Sequence, residues 1–236
     1  MDLNDKRVVV IGGTSGIGQA VAGLVRERGG RVVVASSSPE KVARARAELS
    51  AGDAAHVLDV KDEDEVAAFF AEIGSFDHLV YTAGDWGAMG GSSVGELDLG
   101  RAAQVFVVRF WGALACVKHA LTHLSPDGSI TLTDGMVAHR PRKGAAVSSA
   151  MAGAVEHLVR SLAVDLAPIR VNGVCPGLIE TEAWAFAPQR LPEMTKRNLL
   201  PRAGQPDEAA EAYLYLMSGG YTTGQVLHVD GGMGLI

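Results

Sequence analysis

Short apolar runs alternate with longer segments of mixed polarity along almost the whole chain. The short runs are rich in β-branched residues, and this pattern predicts strands. They are Arg7–Ile11, Arg31–Ala35, Ala54–Leu58, His78–Tyr81, Ser129–Thr133, Arg170–Val174 and Gln225–Val229. Most of these runs are almost continuously apolar, which is typical of parallel strands that are covered on both faces.

The segments between these runs have the composition and spacing of helices. The predicted helices lie near residues 16–29, 40–50, 62–73, 100–124, 149–166 and 206–218. Pro39-Glu40 fits a helix start and Gly29-Gly30 a helix end. The alternation of strands and helices predicts an α/β fold, a doubly wound parallel sheet of about seven strands with helices on both faces. No linker divides the chain, so residues 1–236 are predicted to form a single domain, with 181–205 as a substrate lid.

Composition narrows the classes of function. Glycine accounts for 29 of the 236 residues, about 12% against a usual level of about 7%, and indicates turns and close backbone approaches. The net charge of −6 disfavours nucleic-acid binding. Cys116 and Cys175 lie in apolar segments and indicate reduced thiols in a cytoplasmic protein. The chain has no apolar run long enough to predict a membrane span, and the spacing of its histidines predicts no metal site.

A glycine-rich segment, Gly12 to Gly18, joins the first predicted strand to the first predicted helix. Glycines at such a junction let the backbone approach a pyrophosphate, and the helix N-terminus supplies N–H groups to it. This context predicts a dinucleotide site, and a plain strand-to-helix turn is the alternative. The second strand ends in Ser36, Ser37 and Ser38 with no acidic residue. Hydroxyls without an acid favour NADP(H) over NAD(H), although the serines could equally be helix caps.

The motifs together resemble those of the short-chain dehydrogenase/reductase family over essentially the whole chain. The matching stretches are GGTSGIG at 12–18, Asp59-Val60, Tyr81-Thr82-Ala83-Gly84, RVNGVCPG at 170–177, Thr223-Gly224-Gln225 and Val229-Asp230-Gly231-Gly232. The resemblance implies a Rossmann domain that holds its cofactor through a defined set of residues. They are Gly12, Thr14, Ser15, Gly16, Ile17, Gly18, Ser36, Ser37, Ser38, Asp59, Val60, Thr82, Ala83, Gly84, Pro176, Gly177, Ile179 and Thr181.

The chain departs from the family at every position of its Asn, Ser, Tyr and Lys catalytic set. Arg109 stands at the Asn position, Gly135 at the Ser position, Ser148 at the Tyr position and Ala152 at the Lys position. General acid–base help is worth roughly 10²–10⁴ in rate, so ordinary ketone reduction should be very slow. Asp134, next to Gly135, lies at the carboxyl end of a strand, where ligands bind in such sheets.

Three functions remain open. In the first, the chain reduces an imine or iminium-like acceptor. Asp134 holds the cation, and Arg109 orients Asp134 or the substrate. These two replacements are similar to those of atypical fungal family members that reduce an iminium and assist a cycloaddition. In the second, it binds cofactor without turnover. In the third, it is a non-redox cyclase or isomerase. A structural Arg109–Asp134 ion pair is the alternative to a catalytic role.

Two further expectations concern partners. Trp86 and Trp184 follow cofactor motifs and could line a pocket for a bulky or aromatic small-molecule substrate. Small residues on the two long helices permit close packing, and the resemblance implies a homodimer or homotetramer. Neither nucleic acid nor a membrane is expected as a partner.

Overall fold

The computed structural model describes residues 3–84, 93–185 and 187–236. Its strands are β1 (Arg7–Ile11), β2 (Arg31–Ser36), β3 (Ala54–Val57), β4 (Phe76–Tyr81), β5 (Leu124–Thr133), β6 (Arg170–Pro176) and β7 (Val226–Val229). Its helices are α1 (Gly16–Glu27), α2 (Pro39–Glu48), α3 (Glu63–Ile73), α4 (Leu99–Phe106), α5 (Ala113–Ala120), α6 (Ala146–Asp165), α7 (Arg190–Thr195) and α8 (Pro206–Ser218).

All seven strands form one parallel sheet in the order β3-β2-β1-β4-β5-β6-β7. Alternate strand residues point to opposite faces, and each face has its own apolar core. One core lies under α3, α5 and α6, and the other lies under α1, α2 and α8. The prediction of a doubly wound sheet with helices on both faces is therefore confirmed.

The single helix predicted over 100–124 is wrong. The chain forms α4, then a π-helical stretch at Val107–Gly112, and then α5. The buried Tyr81 hydroxyl donates a hydrogen bond to the Val108 carbonyl. A regular α-helix would use that carbonyl for the N–H four residues on, at Gly112. Tyr81 therefore explains why the helix widens here, and π-stretches of this kind are frequent at functional sites.

The run Leu99–Ala120 has the length and hydropathy of a membrane-spanning helix. Within it, Ala113, Cys116, Val117 and Ala120 are buried against the sheet core. Packing against the sheet therefore accounts for the apolar residues of α5.

Candidate active site

The glycine loop is built by close contact between the ends of β1 and β4. Gly12 and Gly16 have φ angles of 86° and 53°, a region that side chains disfavour. A Cβ on Gly18 would lie 2.3 Å from the Gly12 carbonyl oxygen and 2.4 Å from Thr82 Oγ1. Only glycine therefore fits at position 18, and the N-terminus of α1 is left open toward the loop. This cradle fits a dinucleotide pyrophosphate.

The serines after β2 form a helix cap. Ser38 Oγ accepts a hydrogen bond from the Lys41 backbone N–H and caps α2, and Ser36 Oγ accepts one from the Ser38 N–H. Ser37 is exposed. The capping alternative is thus confirmed for Ser38, and it leaves open which dinucleotide binds here.

Sequence reasoning missed Lys41 as a candidate cofactor residue. Its ammonium donates a hydrogen bond of 3.1 Å to Ser15 Oγ in the glycine loop. It also pairs at 3.1 Å with Glu182, which follows Thr181 after β6. A cavity of about 210 Å³ beside the loop is lined by Thr14, Lys41 and Arg44. Lys41 was detectable as the only cation in the first turn of α2, directly after the serines.

The remaining predicted cofactor residues surround the carboxyl ends of the strands. Val60 is buried, and the Asp59 carboxylate accepts a hydrogen bond from the Lys61 N–H. Thr82 Oγ1 donates to the Ile11 carbonyl, which ties the end of β4 to that of β1. The other members lie at the glycine loop, at the end of β4 and after β6. They are Gly12, Ser15, Ile17, Ala83, Gly84, Pro176, Gly177, Ile179 and Thr181.

Arg109 lies against the end of β4. A Cβ on Gly84 would be 2.5 Å from Arg109 Nη2 and 2.8 Å from Cζ, so the guanidinium covers this glycine. Asp134 accepts no hydrogen bond from Arg109, because neither of its buried carboxyl oxygens has a partner within the described ranges. The structure therefore shows no hydrogen-bonded Arg109–Asp134 ion pair, and the roles of these two residues toward a substrate stay predictions. Arg109 is positioned beside the cofactor motif instead.

The positions of the family's Ser, Tyr and Lys hold residues without an acidic proton. Gly135 is extended at φ −175°, and a Cβ built on it would meet nothing within 4 Å. Ser148 and Ala152 are buried on α6, which begins at Ala146. The N-cap of α6 is Ala145, so neither Ser148 nor Ser149 caps this helix.

None of the four tyrosines stands at the vacated position on α6 or presents an accessible hydroxyl beside it. Tyr81 and Tyr213 are fully buried, and burial raises the pKa of both. The Tyr213 hydroxyl is held 2.7 Å from Thr133 Oγ1. Tyr215 and Tyr221 are exposed near Thr222, which binds Asn172 at the start of β6. This region lies toward the amino ends of the parallel strands, whereas the glycine loop lies at their carboxyl ends.

Asp134 faces a second carboxyl group, that of Glu156 on α6. Burial raises the pKa of Asp134 to about 8, and the neighbouring Glu156 carboxyl adds to this rise. The pKa of Glu156 is lowered despite its own burial, because the neighbouring Asp134 carboxyl, the hydrogen bond with His139 and the charges of His139 and Arg160 all favour its ionised form. The Asp134–Glu156 pair therefore holds one proton and one negative charge at neutral pH.

Four ligand-type residues converge near Asp134. We name them the His–Glu–Cys–His cluster: His139 after β5, Glu156 on α6, Cys175 on β6 and His228 on β7. One ligand atom of each lies within 4.8 Å of all the others. The spacing of histidines along the chain could not reveal this cluster, because each residue comes from a different element.

The segment 181–205 contains a 3₁₀ turn at Glu182–Trp184 and the short helix α7. Leu191 and Thr195 are buried, whereas Leu199 and Leu200 are exposed. Trp184 lies in the 3₁₀ turn, and Trp86 lies outside the described residues. The role of this segment as a lid stays a prediction.

Fold and loop together define a dinucleotide-binding α/β protein. A family model described as enoyl-(acyl carrier protein) reductase matches residues 12–234. The short-chain dehydrogenase/reductase ucsE of Acremonium sp is 37% identical over 98% of this chain and 96% of its own. The chain therefore belongs to the short-chain dehydrogenase/reductase family of oxidoreductases, and its Rossmann fold is that of the family.

Two solved structures are similar throughout. The MalC reductase/Diels-Alderase of Malbranchea aurantiaca has a TM-score of 0.90 at 32% identity, covering 99% of this chain and 97% of its own. A small-chain dehydrogenase in complex with NADPH has a TM-score of 0.81 at 32% identity, covering 99% of this chain and 100% of its own.

Proposed function

We propose that this protein is an NADP(H)-dependent reductase whose acceptor is already activated, as an imine or iminium-like group is. The observation that carries the proposal is that the site keeps its cofactor-binding loop but lacks the catalytic residues of the family. The dinucleotide cradle is intact, while the Tyr, Lys and Ser positions hold Ser148, Ala152 and Gly135. A cationic acceptor suits this contrast because its reduction requires no proton donor.

The residues around the glycine loop fit a nicotinamide dinucleotide, which supplies hydride when bound. The Gly12–Gly18 cradle and the N-terminus of α1 take its pyrophosphate. Lys41, held between Ser15 and Glu182, is the cation that favours a 2′-phosphate. An NADPH complex of a similar structure supports the same preference.

The acceptor is proposed to occupy the open space beside Gly135. Asp134 is the adjacent residue, and the Asp134–Glu156 pair supplies a negative charge close by. Because Asp134 is buried, the pair acts on the cation through a medium of reduced dielectric constant. At about 6 Å and an effective dielectric of about 20, opposite unit charges attract by about 3 kcal/mol.

Arg109 is proposed to orient a polar group of the substrate or the cofactor at the end of β4. Its guanidinium covers Gly84 and has several donors in one plane. The segment 181–205 is proposed to close over the substrate, since Glu182 already bridges to Lys41. The similar MalC protein is a reductase and Diels-Alderase, which supports a reductase role for this chain.

The test compares a cyclic imine with the ketone of the same ring, in the presence of NADPH. The proposal predicts turnover of the imine and at least about 100-fold lower kcat/KM for the ketone, because the proton donor is absent. Asp134→Asn/Glu156→Gln, which removes both carboxyl groups and with them the single negative charge of the pair, should lower kcat/KM for the imine by about 10- to 100-fold, as expected for the loss of up to about 3 kcal/mol of attraction. Asp127→Asn, at an exposed position of β5, is the matched control.

Three results would overturn parts of this proposal. Unchanged imine reduction in Asp134→Asn/Glu156→Gln removes the role of the carboxyl pair. Tight NADPH binding with no oxidation across imines and ketones supports the non-catalytic alternative. Product formation without any cofactor supports the cyclase or isomerase alternative.

A further inference from the structure

We propose that the His–Glu–Cys–His cluster is a structural site for zinc or a similar borderline-soft divalent ion. The cluster lies beside the proposed acceptor space but does not depend on the reaction proposed for it. Its residues come from the turn after β5, from α6, from β6 and from β7. A metal there would join the last strand of the sheet to the helix that packs over it.

The geometry is close to that of a tetrahedral site. The four ligand atoms all lie within 4.8 Å of one another. Zinc bonds of about 2.0–2.3 Å place the ligand atoms of a tetrahedron about 3.3–3.8 Å apart. Small rotations of the imidazoles therefore suffice to close the cluster around an ion. The centroids of the His139 and His228 rings are already 4.4 Å apart.

The donor set indicates which ions would bind. Two imidazole nitrogens, one carboxylate oxygen and one thiol sulfur match zinc, whereas magnesium and calcium prefer oxygen ligands alone. Glu156 and Cys175 are buried, and the two histidines are on the solvent side. An ion could therefore enter past the imidazoles, and four protein ligands would then enclose it.

A second, independent observation also points to a bound cation. Asp134 is 5% exposed, and neither of its carboxyl oxygens has a hydrogen-bond donor among the residues the structure describes. Its carboxyl lies within interaction distance of both Glu156 and Cys175. Buried carboxyl groups normally have a donor, a counter-charge or a metal. A cation held by the cluster would place positive charge next to the Asp134–Glu156 pair, which has one negative charge.

One oxygen of Glu156 already contacts another member of the cluster. Oε2 lies 3.6 Å from Arg160 Nη2, whereas Oε1 faces His139 Nε2. A simple ion pair between His139 and Glu156 would account for the second contact. It would not account for the convergence of Cys175 and His228 on the same point, because neither is needed to neutralise Glu156. A metal ion with four protein ligands explains the positions of all four residues.

The experiment uses the purified full chain after treatment with a chelator. Zinc is titrated against a chromophoric competitor, and cobalt(II) is then added in its place. One equivalent of zinc should bind with a Kd below about 1 µM. Cobalt should give the intense visible bands of tetrahedral coordination and a thiolate-to-cobalt band in the near ultraviolet.

Substitutions in the His–Glu–Cys–His cluster test which side chains bind the metal. Cys175→Ser should abolish the thiolate-to-cobalt band, and His228→Ala should weaken zinc binding at least about 10-fold. Zinc should raise the melting temperature of the wild type but not that of His228→Ala. His157→Ala is the control, since His157 is exposed on α6 next to Glu156 but lies outside the cluster. It should bind zinc as the wild type does.

The proposal is overturned by a zinc Kd weaker than about 100 µM, by octahedral cobalt spectra, or by equal zinc affinity in His228→Ala and the wild type. None of these readouts uses reductase activity. Glu156 belongs both to the cluster and to the Asp134–Glu156 pair, so a bound ion would change the charge beside the acceptor space. A failure of zinc binding still leaves the cofactor cradle and the vacated catalytic positions, which carry the proposed reduction, untouched.

Discussion

Lys41→Ala tests the proposed preference for NADP(H), because it removes a single cation next to the glycine loop. In the wild type the Lys41 ammonium is 3.1 Å from Ser15 Oγ and 3.1 Å from the Glu182 carboxylate. The 2′-phosphate of NADPH would take the place of Glu182 as its counter-charge. A hydrogen bond between charged groups contributes about 1.5–3 kcal/mol net. The Kd for NADPH should therefore rise about 10- to 100-fold in Lys41→Ala.

NADH provides the internal control, since it lacks the 2′-phosphate. Its Kd should change less than about threefold in Lys41→Ala. Glu182→Gln gives the opposite test, because it removes the carboxylate that competes with the phosphate for Lys41. The Kd for NADPH should fall in this variant. Fluorescence titration of both cofactors against the three proteins measures all six constants.

Equal weakening of NADPH and NADH in Lys41→Ala would refute the reasoning, because it would mean that Lys41 supports the loop rather than the phosphate. Unchanged NADPH binding would equally remove Lys41 from the site. In either case the preference would have to come from the serines after β2 or from Arg44, which lines the same cavity.

Three further predictions concern stability and the vacated positions. Gly18→Ala would place its Cβ 2.3 Å from the Gly12 carbonyl oxygen. It should therefore destabilise the fold by about 1–3 kcal/mol and weaken NADPH binding. Denaturant unfolding and cofactor titration check this, and a free energy of unfolding and an NADPH Kd equal to those of the wild type would contradict it. Gly135→Ser should leave the free energy of unfolding within about 0.5 kcal/mol, because the space at its Cβ is open; a larger loss in the same assay would show that the space is filled. Burial lowers the pKa of His78 to about 4, against the opposing charge of Asp77 and with the help of Arg170 and Lys6. The unfolded state therefore binds more protons than the folded state between about pH 4 and the usual value near 6.5, and stability falls as the pH drops through this window. Between pH 7 and 5 the loss from His78 is about 2 kcal/mol. Urea unfolding of the wild type should show this fall relative to His78→Asn, and parallel pH profiles would contradict it.

The sheet was predictable because parallel strands that are buried on both faces consist almost only of apolar residues. Each predicted strand overlaps an observed one, and the predicted bounds of the strands differ from the observed bounds only at their ends. The helix over 100–124 was mispredicted because a contact from β4, the Tyr81 hydroxyl on the Val108 carbonyl, widens it. A contact between distant segments of the chain leaves no periodic signal in the helix sequence.

The candidate site was predictable where its residues follow one another along the chain. The glycine loop and the serines after β2 are of this kind, whereas the vacated catalytic positions were assigned from the family resemblance. The partner of Asp134 was not, because Glu156 lies on a helix whose buried face is set only by packing against the sheet. The same reason hid the His–Glu–Cys–His cluster, since its members lie on four separate elements.

The homo-oligomeric state and the cytoplasmic location stay predictions. Trp111 is 59% exposed on the π-helical stretch between α4 and α5. A large aromatic side chain at that position would be covered if these helices pack against a second copy of the chain. Light scattering of the purified protein measures the state directly, and a monodisperse monomer would contradict the expectation.

The most direct test of the central claim is a single-turnover measurement with an N-alkylated iminium salt and NADPH. Such an acceptor carries a fixed positive charge and takes up no proton during reduction. The account predicts oxidation of one equivalent of NADPH by the iminium salt, and a rate at least about 100-fold lower with the ketone of the same skeleton. Reduction of the ketone at a comparable rate, or no reduction of the iminium salt by enzyme that binds NADPH, would contradict it.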